Sequence, residues 1–64
     1  MPSAPLLTAR EAAKLLSTSE AALAQLRYRN EGPAYIKLGR AVRYRPVDIE
    51  AFIERSRVVT RFAS

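Results

Sequence analysis

The chain has 64 residues and contains neither cysteine nor histidine, which restricts both its fold and its chemistry. No disulfide, thiolate nucleophile or zinc–cysteine site can form without cysteine. The side chain best suited to proton transfer near neutral pH is also missing. A domain of about 60 residues buries only about 60% of the surface that its unfolded chain exposes. We therefore expect one small domain with a modest apolar core, and no enzyme, small-molecule substrate, metal or cofactor.

Basic residues outnumber acidic ones by 11 to 6, and the excess is concentrated in one segment. Nine of the bases are arginine, whose planar guanidinium pairs with phosphates and with guanine edges. Residues 1–34 and 46–64 have net charges of +1 and 0, whereas residues 35–45 have a net charge of +4. Most charged runs are solvated surface, but this concentration favours a polyanionic partner.

No part of the sequence predicts a membrane or secreted protein. The apolar runs are far shorter than the roughly 20 residues that span a bilayer. Residues 1–5 lack the charged start and apolar stretch of a secretory signal. We expect a cytoplasmic protein with no membrane partner.

A first helix is predicted over residues 9–16. Thr8 followed by Glu11 is a capping-box signature, in which each side chain bonds the other residue's backbone N–H. The buried side is predicted to comprise Ala12, Ala13, Leu15 and Leu16. Residues 17–19, which all carry hydroxyl groups, interrupt the helix because such side chains compete with helical hydrogen bonds.

A second helix is predicted over residues 20–29, with Ser19 as its N-cap. Ala22, Leu23 and Leu26 recur at helical spacing and form its apolar stripe. Gly32 followed by Pro33 is the order expected just past the end of a helix. Two short helices joined by a tight turn are typical of a helix-turn-helix.

Residues 35–45 predict a β-hairpin whose turn is Gly39-Arg40. Because apolar and basic residues alternate, one face of the hairpin is expected to pack on the helices and the other to present basic side chains. A third helix is predicted from Pro46, which suits a first-turn position, to about Arg57. Its apolar stripe is predicted to comprise Ile49, Phe52 and Ile53.

The predicted fold class is therefore mainly α with a small β-hairpin. It is a winged helix-turn-helix with three helices and a two-stranded wing. The domain is predicted to cover residues 8–57, preceded by an arm over residues 1–7 and followed by a tail over residues 58–64. In such a fold the second helix enters the major groove of DNA, and the wing follows the backbone or the minor groove.

Several segments resemble one family in their order and spacing. They read LTAREAAKLL at 7–16, LAQLR at 23–27, GPAYIKLGR at 32–40, VRY at 42–44 and DIEAFI at 48–53. Together they are similar to the excisionase and AlpA-type DNA-binding domains, which share a MerR-like winged helix-turn-helix. The resemblance covers about residues 6–57. The chain departs from the family in having Leu26 where tryptophan is common.

The resemblance implies a protein of a phage, plasmid or integrated element that binds short direct repeats of double-stranded DNA. As an excisionase, or recombination directionality factor, it would bind these sites cooperatively, bend the DNA and direct an integrase toward excision. Copies on direct repeats would contact head to tail, because a two-fold dimer does not match such repeats. The location implied is the nucleoid of a bacterial or phage-infected cell.

Two alternatives to the excisionase remain open. A small AlpA-like transcription regulator would use the same domain, and nothing in the residues separates the two roles. An adaptor that binds an integrase through the wing and tail would bind DNA weakly and without specificity. The adaptor would lose its partner on removal of residues 58–64.

The candidate DNA-binding residues lie on the second helix and the hairpin. On the recognition helix they are Ser19, Glu20, Gln25, Arg27, Tyr28 and Arg29, and on the wing they are Lys37, Arg40, Arg43 and Arg45. Ser19 also serves as a cap, and Arg27 has the alternative of pairing with Glu31. Tyr35 and Tyr44 are expected to pack the hairpin onto the helices, whereas Arg55, Arg57 and Arg61 are expected to be solvated charges.

Overall fold

A computed structural model describes residues 5–59, and its helices and hairpin follow the predicted order. They are β1 (Leu7–Thr8), α1 (Ala9–Leu15), α2 (Glu20–Tyr28), β2 (Ile36–Leu38), β3 (Ala41–Tyr44) and α3 (Pro46–Ser56). The three helices and the hairpin of β2 and β3, hereafter the wing, confirm the winged helix-turn-helix. Arg61, most of the predicted tail and the start of the predicted arm lie outside the described residues. No helix within residues 5–59 is long and apolar enough to cross a membrane.

The predicted capping box begins α1. The Thr8 Oγ1 atom accepts a hydrogen bond from the Glu11 N–H at 3.1 Å, and the Thr8 N–H donates to Glu11 Oε1 at 2.9 Å. The buried face carries Ala12 and Ala13, but Leu15 is 60% exposed. The prediction for Leu15 was wrong because two residues advance a helix by about 200°, which turns Leu15 away from the side of Ala13.

The helix α2 begins and ends with defined caps. The Ser19 hydroxyl oxygen accepts a hydrogen bond from the Ala22 N–H at 3.0 Å, as predicted. At the other end, Asn30 has the left-handed φ of 58°. The Glu31 N–H donates to the Leu26 carbonyl at 2.7 Å, which completes a Schellman motif. Asn30 therefore holds the helix-ending position, two residues before the predicted glycine.

Gly32 is instead required by the path of the chain after α2. Its φ is +85°, and a Cβ atom placed on it would lie 2.9 Å from the Leu26 Cβ atom. Both the backbone angle and the close approach exclude a side chain. Pro33 follows and is buried, so the chain passes directly from α2 to the wing.

The sheet has a third strand that the sequence analysis did not predict. Its strand order is β1-β3-β2, and β1 pairs antiparallel with β3 through Leu7↔Tyr44 and Thr8↔Arg43. Leu7, predicted as the end of the arm, therefore belongs to the sheet. This pairing covers the free edge of β3 and supports a hairpin that is only marginally stable alone.

The register of the wing contradicts the predicted separation of apolar and basic faces. Lys37 pairs with Val42, whereas Arg43 pairs with Ile36. Residues opposite each other on antiparallel strands share a face, so Lys37 and Arg43 lie on opposite faces. The two-residue turn fixes this register and places the apolar residues of β2 out of phase with those of β3.

The core lies where the helices meet the inner face of β3. It consists of the buried residues Ala12, Ala13, Leu23, Tyr44 and Ile49, and Leu7, Ala9, Leu16, Leu26 and Val42 pack against it. The helix α3 enters the core mainly through Ile49, because Phe52 is only half-buried and Ile53 is exposed. Its apolar stripe is therefore narrower than predicted.

We expect Gly32→Ala to destabilise the protein more than Gly39→Ala. Gly39 also has a positive φ, +64°, but a Cβ atom there would meet nothing within 4 Å. Gly39→Ala should lower the free energy of unfolding by about 1–3 kcal/mol, the cost of holding an L-residue in a sparsely populated positive-φ conformation. Gly32→Ala adds the overlap with Leu26 and should cost at least about 1 kcal/mol more. Urea denaturation measures both, and equal losses would contradict the close approach.

The N-cap of α2 gives a second stability prediction. Ser19→Ala should lower the free energy of unfolding by about 1 kcal/mol, because the Ala22 N–H loses its partner. Ser19→Asp should restore stability, since aspartate is also a good N-cap. Ser56→Ala, at the last position of α3, is the control. An Ser19→Ala variant as stable as this control would exclude the capping role.

Candidate nucleic-acid interface

The outward face of α2 carries three of the predicted DNA-binding side chains. Glu20, Gln25 and Tyr28 are all exposed. Tyr28 is 91% exposed, an unusual position for a large aromatic ring. The helix has nine residues, and an α-helix with its side chains is about 10–12 Å across, which suits a major groove about 12 Å wide. The face can therefore present hydrogen-bonding groups to base edges.

Both ends of α2 offer polar groups to a polyanion. The exposed Ser19 hydroxyl uses its oxygen as the cap and retains its proton for donation. Arg29 is the C-cap residue and is exposed, with no ion pair within residues 5–59. The positions of these two predicted contacts are compatible with binding to the DNA backbone.

Arg27 lies in a different environment from the other predicted residues of α2. Its Nη1 atom donates a hydrogen bond to the Tyr44 Oη atom at 2.7 Å. Its Cζ atom lies 5.8 Å from the centre of the Tyr35 ring, within the range of a cation–π contact. The alternative ion pair with Glu31 is not formed in the described part of the chain. The guanidinium is thus held between α2 and the wing.

Two basic side chains of the wing, Lys37 and Arg40, have no ion pair within the described residues. Both are exposed, and Arg40 occupies the two-residue turn between β2 and β3. Gly39 has φ +64° whereas Arg40 does not have a positive φ, the pattern of a type II′ turn. The predicted role of Gly39 in this turn is confirmed.

Arg43 and Arg45 are less available than predicted. Arg43 is half-buried and its Nη1 atom donates to the Val42 carbonyl at 2.9 Å. Arg45 lies after β3, at the N-cap of α3, where its Nε atom is 3.0 Å from Asp48 Oδ2. The hydrogen bond that Arg45 donates to the Asp48 carboxylate, together with the negative charge of that carboxylate, raises the pKa of Arg45. Arg45 therefore joins the start of α3 rather than the wing.

Arg55 is exposed, as predicted, but its side chain also has partners within the protein. Its Nη2 atom donates to the Gly32 carbonyl at 3.1 Å, and its Cζ atom lies 5.6 Å from the centre of the Phe52 ring. The i,i+3 spacing from Phe52 was a signal for the second contact. Arg57 fits the expectation, since it is exposed and its Nη1 atom lies 3.6 Å from Glu54 Oε2.

Three of the predicted DNA-binding cations therefore remain available, while Arg10 and Lys14 on α1 are also exposed and without an ion pair in residues 5–59. Arg29, Lys37 and Arg40 are exposed bases without an ion pair in residues 5–59. With the polar face of α2, they are the hydrogen-bonding and cationic groups that the predicted interface offers. This combination can bind double-stranded DNA through two elements at once.

The comparisons with known proteins identify one family. A family profile described as a helix-turn-helix domain matches residues 6–57. Neither the curated proteins nor the solved structures gave a significant match to the chain.

The matched segment includes every helix and strand of the described structure, from β1 to α3. The paired helices α1 and α2 supply the helix-turn-helix, and the wing follows them in sequence. Helix-turn-helix domains bind DNA through the second helix of the pair. The chain carries a small DNA-binding domain and belongs to this helix-turn-helix domain family.

Proposed function

We propose that the protein is an excisionase, a recombination directionality factor of a phage or other mobile element. In this role it binds repeated sites on double-stranded DNA cooperatively, bends the DNA and directs an integrase toward excision. It acts by binding and contributes no catalytic residue. Its place of action is the bacterial chromosome, and hence the cytoplasm.

The observation that carries the proposal is the small number of exposed cations without ion pairs on the two proposed DNA-binding elements, α2 and the wing. Three exposed bases without ion pairs, Arg29, Lys37 and Arg40, lie on α2 and the wing. Three phosphate contacts correspond to a slope of log K against log salt of only about −3. One such module covers about 600–1,000 Å² of protein surface. Stable occupancy of a site therefore favours several copies on adjacent repeats.

The family match supports this role without distinguishing it from regulation. The matched helix-turn-helix family includes excisionase-like and AlpA-like proteins. The order and spacing of the segments over residues 7–53 resemble those proteins. A row of copies in contact head to tail would bend or stiffen the DNA between the sites at which an integrase acts.

Within this role, the candidate residues divide into base readers and backbone contacts. Gln25 is placed to pair with adenine, and Glu20 to accept a hydrogen bond from cytosine N4. Contacts to the DNA backbone are proposed for Ser19, Tyr28, Arg29, Lys37 and Arg40. Arg43 is a weaker candidate because it is half-buried and donates to the Val42 carbonyl. Arg45 is the weakest member because Asp48 already pairs with it.

The wing gives the first DNA-binding prediction. Lys37→Ala/Arg40→Ala should reduce the slope of log K against log salt by about 2, because two phosphate contacts are lost. Lys14→Ala/Arg57→Ala removes one lysine and one arginine from exposed positions elsewhere, so it is the matched control. Fluorescence anisotropy at several salt concentrations measures both. Equal changes in slope for the two variants would exclude a specific role of the wing.

The base-reading role of α2 gives a separate prediction. Gln25→Ala should relax specificity at one base pair. Binding to the preferred site should weaken by about 1–3 kcal/mol, whereas binding to sites with another base pair at that position should change little. Selection from a random duplex pool with both proteins measures this. Glu31→Ala, an exposed residue beyond α2, is the control. Identical selected sites for wild type and Gln25→Ala would exclude base reading by Gln25.

The excisionase role itself is tested by a recombination assay on the element's own attachment sites. Addition of the protein to the cognate integrase should promote excision and inhibit integration, and circular-permutation gels should show bent DNA. Binding to a promoter with repression, and no effect on excision, would favour the AlpA-like regulator. Integrase binding with equally weak affinity for every DNA fragment would favour the adaptor.

A further inference from the structure

We infer that Arg27 is a positioning residue that sets the orientation of the wing relative to α2, and that it does not bind DNA itself. The inference rests on the proposed use of both elements for DNA binding. It assigns to Arg27 a role in the specificity of the interface, through Tyr44 and Tyr35. Its basis is the geometry of these three side chains.

The hydrogen bond between Arg27 and Tyr44 satisfies a group that water cannot reach. Tyr44 has 0% exposure, and it is among the largest fully buried side chains. Its Oη atom has Arg27 as hydrogen-bond partner at 2.7 Å, and the described residues contain no buried polar side-chain atom without a partner. A buried hydroxyl without a partner is costly, so this contact constrains where the end of α2 can lie.

The same guanidinium contacts the base of both wing strands. Tyr44 is the last residue of β3, and Tyr35 immediately precedes β2. The two rings lie 6.2 Å apart between centres, with their planes tilted by 52°. Arg27 donates to one ring's hydroxyl and lies 5.8 Å from the centre of the other. One side chain in the last turn of α2 thus holds both ends of the hairpin.

The wing amplifies any change at this point. Arg40 precedes Tyr44 by four residues, so it lies about 13 Å along the strand from the contact. A rotation of about 10° at the base would move the tip by about 2 Å, which is enough to break a hydrogen bond to a phosphate. Arg29 follows Arg27 by two residues and remains on α2. The contact therefore fixes the separation between the cations of α2 and those of the wing.

The test is Tyr44→Phe, which changes no charge and retains the buried ring. Arg27 then loses its acceptor, and we expect about tenfold weaker binding to the selected DNA site. We also expect the slope of log K against log salt to decrease by about 1 to 2, because the wing cations leave their phosphates. Tyr35→Phe is the matched control, since it removes a hydroxyl and retains the ring under Arg27. Circular dichroism and thermal unfolding establish that each variant is folded.

A double-mutant cycle separates positioning from a purely structural role. The fold-loss of affinity caused by Lys37→Ala/Arg40→Ala should be smaller in the Tyr44→Phe background than in the wild type, by a factor of about three or more. The reason is that the wing is already displaced in Tyr44→Phe. Arg27→Met, which removes the guanidinium from a partly exposed position, should reproduce both effects of Tyr44→Phe. A Tyr44→Phe variant with lower thermal stability but an unchanged slope and full additivity with the wing variant would overturn the inference.

A direct phosphate contact by Arg27 predicts a different pattern. Arg27→Met would then reduce the slope by about 0.9 while Tyr44→Phe left it unchanged, and this result would also overturn the inference. Failure of the proposed function is distinct from either result. In that case the wild type would bind the selected site no better than random DNA, or would be unaffected by loss of Lys37 and Arg40.

Discussion

The buried ring of Tyr44 is the interaction on which the rest of the structure depends. It ends β3, packs in the core with Leu23 and Ile49, and is paired across the sheet with Leu7. A chain of 64 residues without cysteine has few means of joining a hairpin to helices. One aromatic residue does this here, because its ring belongs to the core while its hydroxyl reaches the end of α2 through Arg27.

The arginines divide into those with partners inside the protein and those exposed without an ion pair. Those with an internal partner hold elements together: Arg27 between α2 and the wing, Arg45 at the start of α3, and Arg55 between α3 and the Gly32 carbonyl. Among the exposed basic residues without an ion pair in the described part of the chain are Arg29, Lys37 and Arg40 at the proposed interface, and Arg10 and Lys14 on α1. The arginines therefore serve internal contacts as well as the exposed surface.

Much of the fold could be predicted from local patterns. The Thr8 capping box, the Ser19 cap and the Gly39 turn each depend on a few neighbouring residues, so the sequence contains their full signal. The pairing of β1 with β3 depends on residues far apart in the chain and was missed. The faces of the wing were wrongly predicted because each strand was read alone, whereas their relative phase is set by the register across the turn. The contacts of Arg27 and Arg55 depend on packing between elements, and charge type alone does not reveal them.

If α2 and the wing form one DNA-binding surface, both should respond when a duplex selected from a random pool is added to the ¹⁵N-labelled protein. The largest amide shift changes are expected in residues 19–29 and 37–43, with small changes along α3. Changes concentrated in α3 or in residues 10–18, with the wing unaffected, would contradict a shared DNA-binding surface of α2 and the wing.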